Sequence, residues 1–192
     1  MKHSFVALTG ASCIKYGFGI IKALQKLGYQ IHTTATEEAL ANAVAETGKT
    51  YSSIEEMYNL NGIENIIYYD NNNRGANVAS GSFKIDHYII APASMGFVGR
   101  CANGISSNLI ERCADVALKE RRPLVILFRE MPLSNIHLEN LLKLSNSGAI
   151  IMPAAPAFYH NPENIDDLIN FTAGKVLDVL GIENNCFKRW GS

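Results

Sequence analysis

The sequence has no run of 18 apolar residues, which excludes a helical membrane span. Its first apolar run, Phe5–Leu8, is too short for a signal-peptide core and stops at Thr9-Gly10. No Cys-x-x-Cys pair occurs: Cys13, Cys101, Cys113 and Cys186 are scattered, so no zinc or other metal site is expected. Free thiols without a secretion signal imply a reducing, cytoplasmic setting. An excess of charge is missing too. The 17 basic and 18 acidic residues leave a net charge of −1, which argues against a large nucleic-acid surface. There is no repeat, no low-complexity tract and no linker. What is present is a hydrophobic share of 47% against 18% charged, the balance of a chain that packs a core and not of a disordered one. Its 192 residues suit one domain, at about 150 residues per domain. That domain is expected over residues 1–185, with 186–192 as a tail.

Short apolar runs alternate with longer amphipathic stretches. Strands are expected at Phe5–Leu8, Tyr29–Ala35, Asn65–Tyr69, His87–Ala91, Pro123–Phe128 and Ala149–Met152. Helices are expected at Ile14–Leu27, Glu37–Thr47 with Thr36 as N-cap, Ile105–Glu120, Leu133–Leu144 and Ile165–Leu180. Strands rich in β-branched residues between helices predict an α/β fold: a three-layer, Rossmann-like, doubly wound parallel sheet.

In such a sheet, ligands bind outside the carboxyl ends of the strands. The loops there are Thr9–Cys13, Ala35-Thr36, Ala91–Gly96, Phe128–Pro132 and Pro153–His160. Thr9-Gly10-Ala11-Ser12-Cys13 is a small-residue turn into a helix, able to bring N–H groups to an anion. It is neither a Walker loop nor Gly-x-Gly-x-x-Gly. Ala91-Pro92-Ala93-Ser94-Met95-Gly96 repeats the strand-to-helix design, and Ala79-Ser80-Gly81-Ser82 offers further hydroxyls before a strand. Each is also ordinary turn chemistry; three together point to a planar cofactor that carries phosphate. Arg112, Lys119, Arg121 and Arg122 gather around one helix end, where charges usually face solvent. Arg129-Glu130 differs, because it directly follows a buried strand, where a charge is costly unless paired or liganded. A guanidinium suits a phosphate oxygen, and the neighbouring carboxyl can exchange a proton with it. Tyr159 can hydrogen-bond a ligand or pack in the core with Phe158. His137 and His160 are proton-transfer candidates without a visible triad partner.

These motifs, taken in order, resemble the flavin prenyltransferases of the UbiX family, members of a wider group of flavin-binding decarboxylase-like folds. The likeness is carried by Gly10-Ala11-Ser12, by Ser80-Gly81-Ser82 and by the run from Asn108 to Leu124. It is also carried by Arg129-Glu130-Met131-Pro132-Leu133, Ile136-His137-Leu138-Glu139-Asn140 and Pro153-Ala154-Ala155-Pro156-Ala157-Phe158-Tyr159. The resemblance implies a metal-independent transfer of a dimethylallyl group, from its phosphate or diphosphate, to N5 and C6 of reduced FMN. The product, prenylated FMN, would pass to a UbiD-type decarboxylase. A homododecamer with sites at subunit junctions is implied as well. By position, Gly10, Ala11, Ser12, Thr36, Ser94, Met95, Gly96, Phe97 and Arg112 would contact FMN. Glu46, Lys119, Arg129, Glu130, Tyr159 and Lys175 would surround the prenyl phosphate, with Glu130, Ser12 and Glu46 closest to the chemistry.

The chain departs from the family pattern at several positions. Cys13 stands where glycine is common and would crowd the turn. Phe97 and Arg100 stand where smaller residues are usual. Ala93 replaces a common cysteine. Arg74 lies near a frequent tryptophan. Lys175 replaces arginine, keeping the charge without the bidentate fork. Two other readings share the fold: a flavin-dependent cysteine-type decarboxylase, and a non-catalytic carrier of FMN or prenylated FMN. The decarboxylase needs an early-helix histidine and an Asn- and Trp-bearing clamp after the last strand, and Pro153–Tyr159 has neither Asn nor Trp.

Overall fold

The computed structural model describes residues 1–191. Its strands are β1 (His3–Leu8), β2 (Gln30–Ala35), β3 (Ile66–Tyr68), β4 (His87–Ala93), β5 (Leu124–Phe128) and β6 (Ile150–Pro153). Its helices are α1 (Ile14–Lys26), α2 (Glu37–Thr47), α3 (Ile54–Leu60), α4 (Met95–Ala102), α5 (Leu109–Lys119), α6 (Asn135–Asn146) and α7 (Ile165–Val179). All strands are parallel, in the order β3-β2-β1-β4-β5-β6. The central strands are buried on both faces, which is why they read as continuous apolar runs. Val6 and Leu8 face the layer that holds Ile14, Ile21 and Leu24 of α1, Met57 and Tyr58 of α3, and Val176 and Leu177 of α7. Phe5 and Ala7 face the opposite layer, with Phe97 of α4, Ile110 of α5 and Leu144 of α6. The expected three-layer, doubly wound architecture is therefore the observed one.

Local chemistry explains the helix ends. Thr36 caps α2 by accepting from the Ala39 N–H at 3.2 Å, and Gly48, at φ 69°, closes it. Asn164 and Asp167 form a reciprocal capping box on α7.

Three expectations need correction. The strand expected to end at Ala91 runs on to Ala93, through a cis Ala91–Pro92 peptide and a break in register with β5. The irregular register is what lets a strand hold a proline, which has no N–H to donate. The helix expected from Ile105 starts at Leu109, because Asn108 takes the cap and accepts from Glu111 N–H at 2.9 Å. Two short helices, α3 and α4, had no assignment from periodicity; at seven and eight residues they carry too few turns to show one. Residues 186–191 lie against α7: Arg189 pairs with Asp178 at 2.8 Å, and Phe187 meets the Phe171 ring edge-on at 4.9 Å.

Near the amino end of the sheet, His32 is 1% exposed yet fully bonded. Tyr69 donates its single hydroxyl proton to Asn77 Oδ1 at 3.1 Å, so it accepts from His32 Nδ1 at 2.9 Å. His32 Nε2 is left to accept from His3 Nδ1, also at 2.9 Å. Burial, helped by His3, lowers the His32 pKa from 6.5 to about 4. The unfolded chain therefore binds more protons between these values. The stability contributed by neutral His32 is present above pH 6.5 and is lost as pH falls toward about 4. Thermal unfolding followed by circular dichroism should show the midpoint falling across that window, with a shallower slope in His32→Gln.

Candidate functional site

The strand order reverses between β1 and β4: the chain leaves β1 toward β2 and β3, and leaves β4 toward β5 and β6. A crevice opens at their carboxyl ends, where neighbouring loops diverge. Thr9 ties the two loops together. Its N–H and hydroxyl donate to the Pro92 carbonyl at 3.1 and 3.0 Å, and its hydroxyl accepts from the Ser94 N–H at 2.8 Å. Gly10 packs so tightly on α2 that a Cβ would stand 2.5 Å from the Glu38 Cβ. On the second loop, Ser94 caps α4 by accepting from the Phe97 N–H at 3.2 Å.

The first turn of α1 is filled from within the chain. Glu46 accepts from the N–H groups of Cys13 and Ile14 at 2.5 and 2.9 Å. A carboxylate there satisfies orphan donors and meets the positive end of the helix. Cys13 adopts φ 74°, the left-handed region that glycine tolerates and a side chain resists. This is the physical basis of the crowding expected at that position. Burial and the Glu46 carboxylate push the Cys13 thiol up, while the charge and hydrogen bond of Arg129 pull it down. Cys13, Glu46 and Arg129 therefore meet at one corner of the crevice. Glu130 follows, half-buried, with Oε1 accepting from the Met131 N–H at 3.2 Å.

The remaining expected residues divide. Gly10, Ala11, Ser12, Thr36, Ser94, Met95 and Gly96 all sit on the loops and first turns around the crevice. The Phe97 side chain is 1% exposed and belongs to the core beneath α4, on the inner face of that helix. Arg112 pairs with Asp115 at 3.0 Å on the surface of α5. Lys119 lies at the far end of α5, paired with Glu120 and close to Gly81. The Ser80-Gly81-Ser82 loop is held there too, since Arg122 donates to the Gly81 and Phe83 carbonyls at 2.5 and 2.7 Å. Tyr159 is 42% exposed and packs edge-on against Trp190 at 5.2 Å. Lys175 lies 3.8 Å from Asp178 on α7.

The proton-transfer histidines have structural places. His137 completes the capping box that starts α6. His160 stacks on Phe171 at 5.1 Å, with both ring nitrogens buried and unpartnered. Sequence reasoning missed Thr9, whose hydroxyl joins the loops. Its signal was its place at the mouth of a buried strand, just before Gly10. It also missed Glu111, which reads as a solvated helix position but is 1% exposed.

Residues 1–177 match the model of the flavoprotein family. The chain is 43% identical over 187 residues to the flavin prenyltransferase UbiX of Methanocaldococcus jannaschii, covering 97% of each chain. The chain belongs to the UbiX flavin prenyltransferase family. Its structure superposes with a TM-score of 0.89 on AnUbiX (PadA1) in complex with FMN and dimethylallyl pyrophosphate, at 36% identity, covering 100% of this chain and 98% of that one. A dodecameric FMN-dependent UbiX-like decarboxylase from Escherichia coli O157:H7 aligns at TM-score 0.88 and 34% identity, covering 99% and 100% of the two chains.

The residues of this UbiX-family crevice fit a flavin. Among the described residues, two buried hydroxyls lack a partner: Thr34 Oγ1 and Ser106 Oγ. Thr34 is in register with Ala7, so it faces the α4–α5 layer near the end of β2. Ser106 lies on the loop entering α5. Such orphaned oxygens are the groups a polar ligand would satisfy. Gly10 brings its loop close against α2, and the first turn of α4 supplies N–H donors.

The strain at Cys13 generates a prediction. Cys13→Gly should stabilise the protein by about 0.5–1 kcal/mol, since left-handed strain costs more than glycine's added unfolded-state entropy. The thermal midpoint should rise by about 1–4 °C for a chain of this size.

Proposed function

We propose that this protein transfers a dimethylallyl group from dimethylallyl phosphate or diphosphate to reduced FMN, yielding prenylated FMN for a UbiD-type decarboxylase. The observation that carries this reading is the corner where Glu46 and Arg129 meet at Cys13, next to Glu130 at the carboxyl edge of the sheet, in a chain similar to UbiX enzymes along its whole length. Reduced FMN supplies the nucleophilic N5 and C6 and an electron-rich ring face.

The chain's own residues do the rest. Glu46 anchors the first turn of α1, so the Gly10-Ala11-Ser12 loop is held rigid where the Ser12 hydroxyl can bond the flavin edge. Arg129 grips the prenyl phosphate, an interaction that strengthens as the C1–O bond breaks and negative charge grows on oxygen. Glu130 gives a proton to that oxygen and, as a carboxylate, can later accept one.

Lys119 comes from a neighbouring copy. Lys119 and Arg129 flank opposite ends of β5, whose five residues at about 3.3 Å each separate them by roughly 17 Å within one chain. Large apolar side chains near the crevice are exposed, Met131 by 83% and Phe158 by 71%, as expected for surfaces covered in a homo-oligomer, here a dodecamer. No helix of the described chain is long and apolar enough to cross a membrane. We place the enzyme in the cytoplasm on its unpaired thiols, Cys13, Cys101, Cys113 and Cys186.

Anaerobic incubation with reduced FMN and dimethylallyl phosphate, followed by mass spectrometry of the extracted flavin, tests the activity. A gain of one five-carbon prenyl unit is expected; unmodified flavin with both the monophosphate and the diphosphate would reject it. Glu130→Gln should still bind FMN but slow transfer by about 100-fold or more, the scale of a lost general acid. An unchanged rate would remove Glu130 from its role.

A further inference from the structure

Arg100 is a crevice cation that the transfer chemistry leaves unused. It stands in the last turn of α4 and folds back over that helix's first turn. A Cβ built on Gly96 would lie 3.3 Å from Arg100 Nη1. The Glu38 carboxyl is held below its usual range by its own backbone N–H and the Thr36 hydroxyl, with a further contribution from Arg100. The Arg100 Nε donates to Glu111 Oε1 at 2.5 Å. The guanidinium therefore lies among the first turns of three helices: Glu38 in α2, Gly96 in α4 and Glu111 in α5.

Glu111 is what aims it. This carboxylate is 1% exposed and also accepts from the Ser107 N–H at 2.7 Å, the Ser107 hydroxyl at 2.8 Å and Asn108 Nδ2 at 3.0 Å. A buried anion with so many donors is fixed in place, and it grips Arg100 by Nε. That grip uses Nε, and Nη1 lies beside Gly96 in the first turn of α4.

The helix ends decide which part of the cofactor belongs here. The first turn of α1 already holds the Glu46 carboxylate. The first turn of α2 likewise carries Glu37 and Glu38, so a dianionic phosphate finds its N–H donors at the first turn of α4, which has no acidic residue and lies beside Arg100. Arg112, the cation expected to hold the flavin, is paired with Asp115 at the surface. We propose that Arg100, positioned by Glu111, binds the 5′-phosphate of FMN through its terminal nitrogens and gives this chain its preference for FMN over riboflavin. The inference rests on the flavin reading above and adds the residue that recognises the phosphate.

The test is titration of apoprotein with FMN and, separately, with riboflavin, following quenching of flavin fluorescence. Wild type should bind FMN the more tightly. Arg100→Ala should weaken FMN by about 10- to 100-fold, the scale of lost charge-assisted hydrogen bonds, and leave riboflavin within about twofold. Arg100→Lys should recover part of the preference, because an ammonium lacks the fork. Glu111→Gln should lower FMN affinity at unchanged riboflavin affinity, which a purely structural role would not do. Should Arg100→Ala fail to fold with Glu111 buried and unpaired, Arg100→Ala/Glu111→Gln carries the same measurement. A variant lacking Arg100 that keeps the wild-type ratio of FMN to riboflavin affinity overturns this assignment and leaves the flavin reading standing. Wild type that binds neither flavin overturns both.

Discussion

The parallel pairing of β1 with β4 is the constraint from which the site follows. Each strand delivers a loop and a helix start to the same edge, and the chain then departs in opposite directions, so a crevice is unavoidable. Thr9 turns that proximity into a fixed geometry by bonding both the carbonyl of Pro92 and the N–H of Ser94. The close approach of α1 to β4 has the same origin: at Gly17 a Cβ would come within 2.3 Å of the Ala91 carbonyl oxygen. Backbone, more than side chain, therefore shapes the floor of the crevice.

Around that floor the chain allots its carboxylates to helix starts. Glu46 occupies the first turn of α1, and Glu111 lies in the first turn of α5. Both are partners for backbone N–H groups, and each is coupled to one arginine, Glu46 through the Cys13 corner to Arg129 and Glu111 directly to Arg100. Carboxylates used in this way orient cations that would otherwise be free to turn into solvent. Glu37 and Glu38 stand in the first turn of α2, which leaves the start of α4, free of acidic residues, as the place around this floor where a ligand's negative charge is best received.

The same topology separates the residues expected around the prenyl phosphate. A parallel strand carries its loops to opposite edges, so residues just before and just after β5 cannot share a pocket in the same subunit. Arg129 and Glu130 stand at one edge, while Lys119 and the Ser80-Gly81-Ser82 loop stand at the other, pinned by Arg122. Exposed aromatic and aliphatic side chains around the crevice, Phe158 and Met131 among them, are the surfaces another copy would cover.

The sequence by itself determined the layers, the loops that follow the strands, the cap at Thr36, and the Gly10-Ala11-Ser12 and Arg129-Glu130 motifs. These follow from periodicity, from β-branched runs and from turn residues, all of which act over a few positions. Tertiary structure alone decided the rest. It turned Phe97 into the core, extended β4 through Pro92, and delayed α5 to Leu109. It brought Glu46 to a helix 32 residues away in sequence. It also buried Glu111, a helix glutamate that local pattern would leave in water, and so aimed Arg100. The physical reason is range: a hydrophobic period reports which face of an element is apolar, whereas the partner of a charge depends on which elements the sheet order sets side by side.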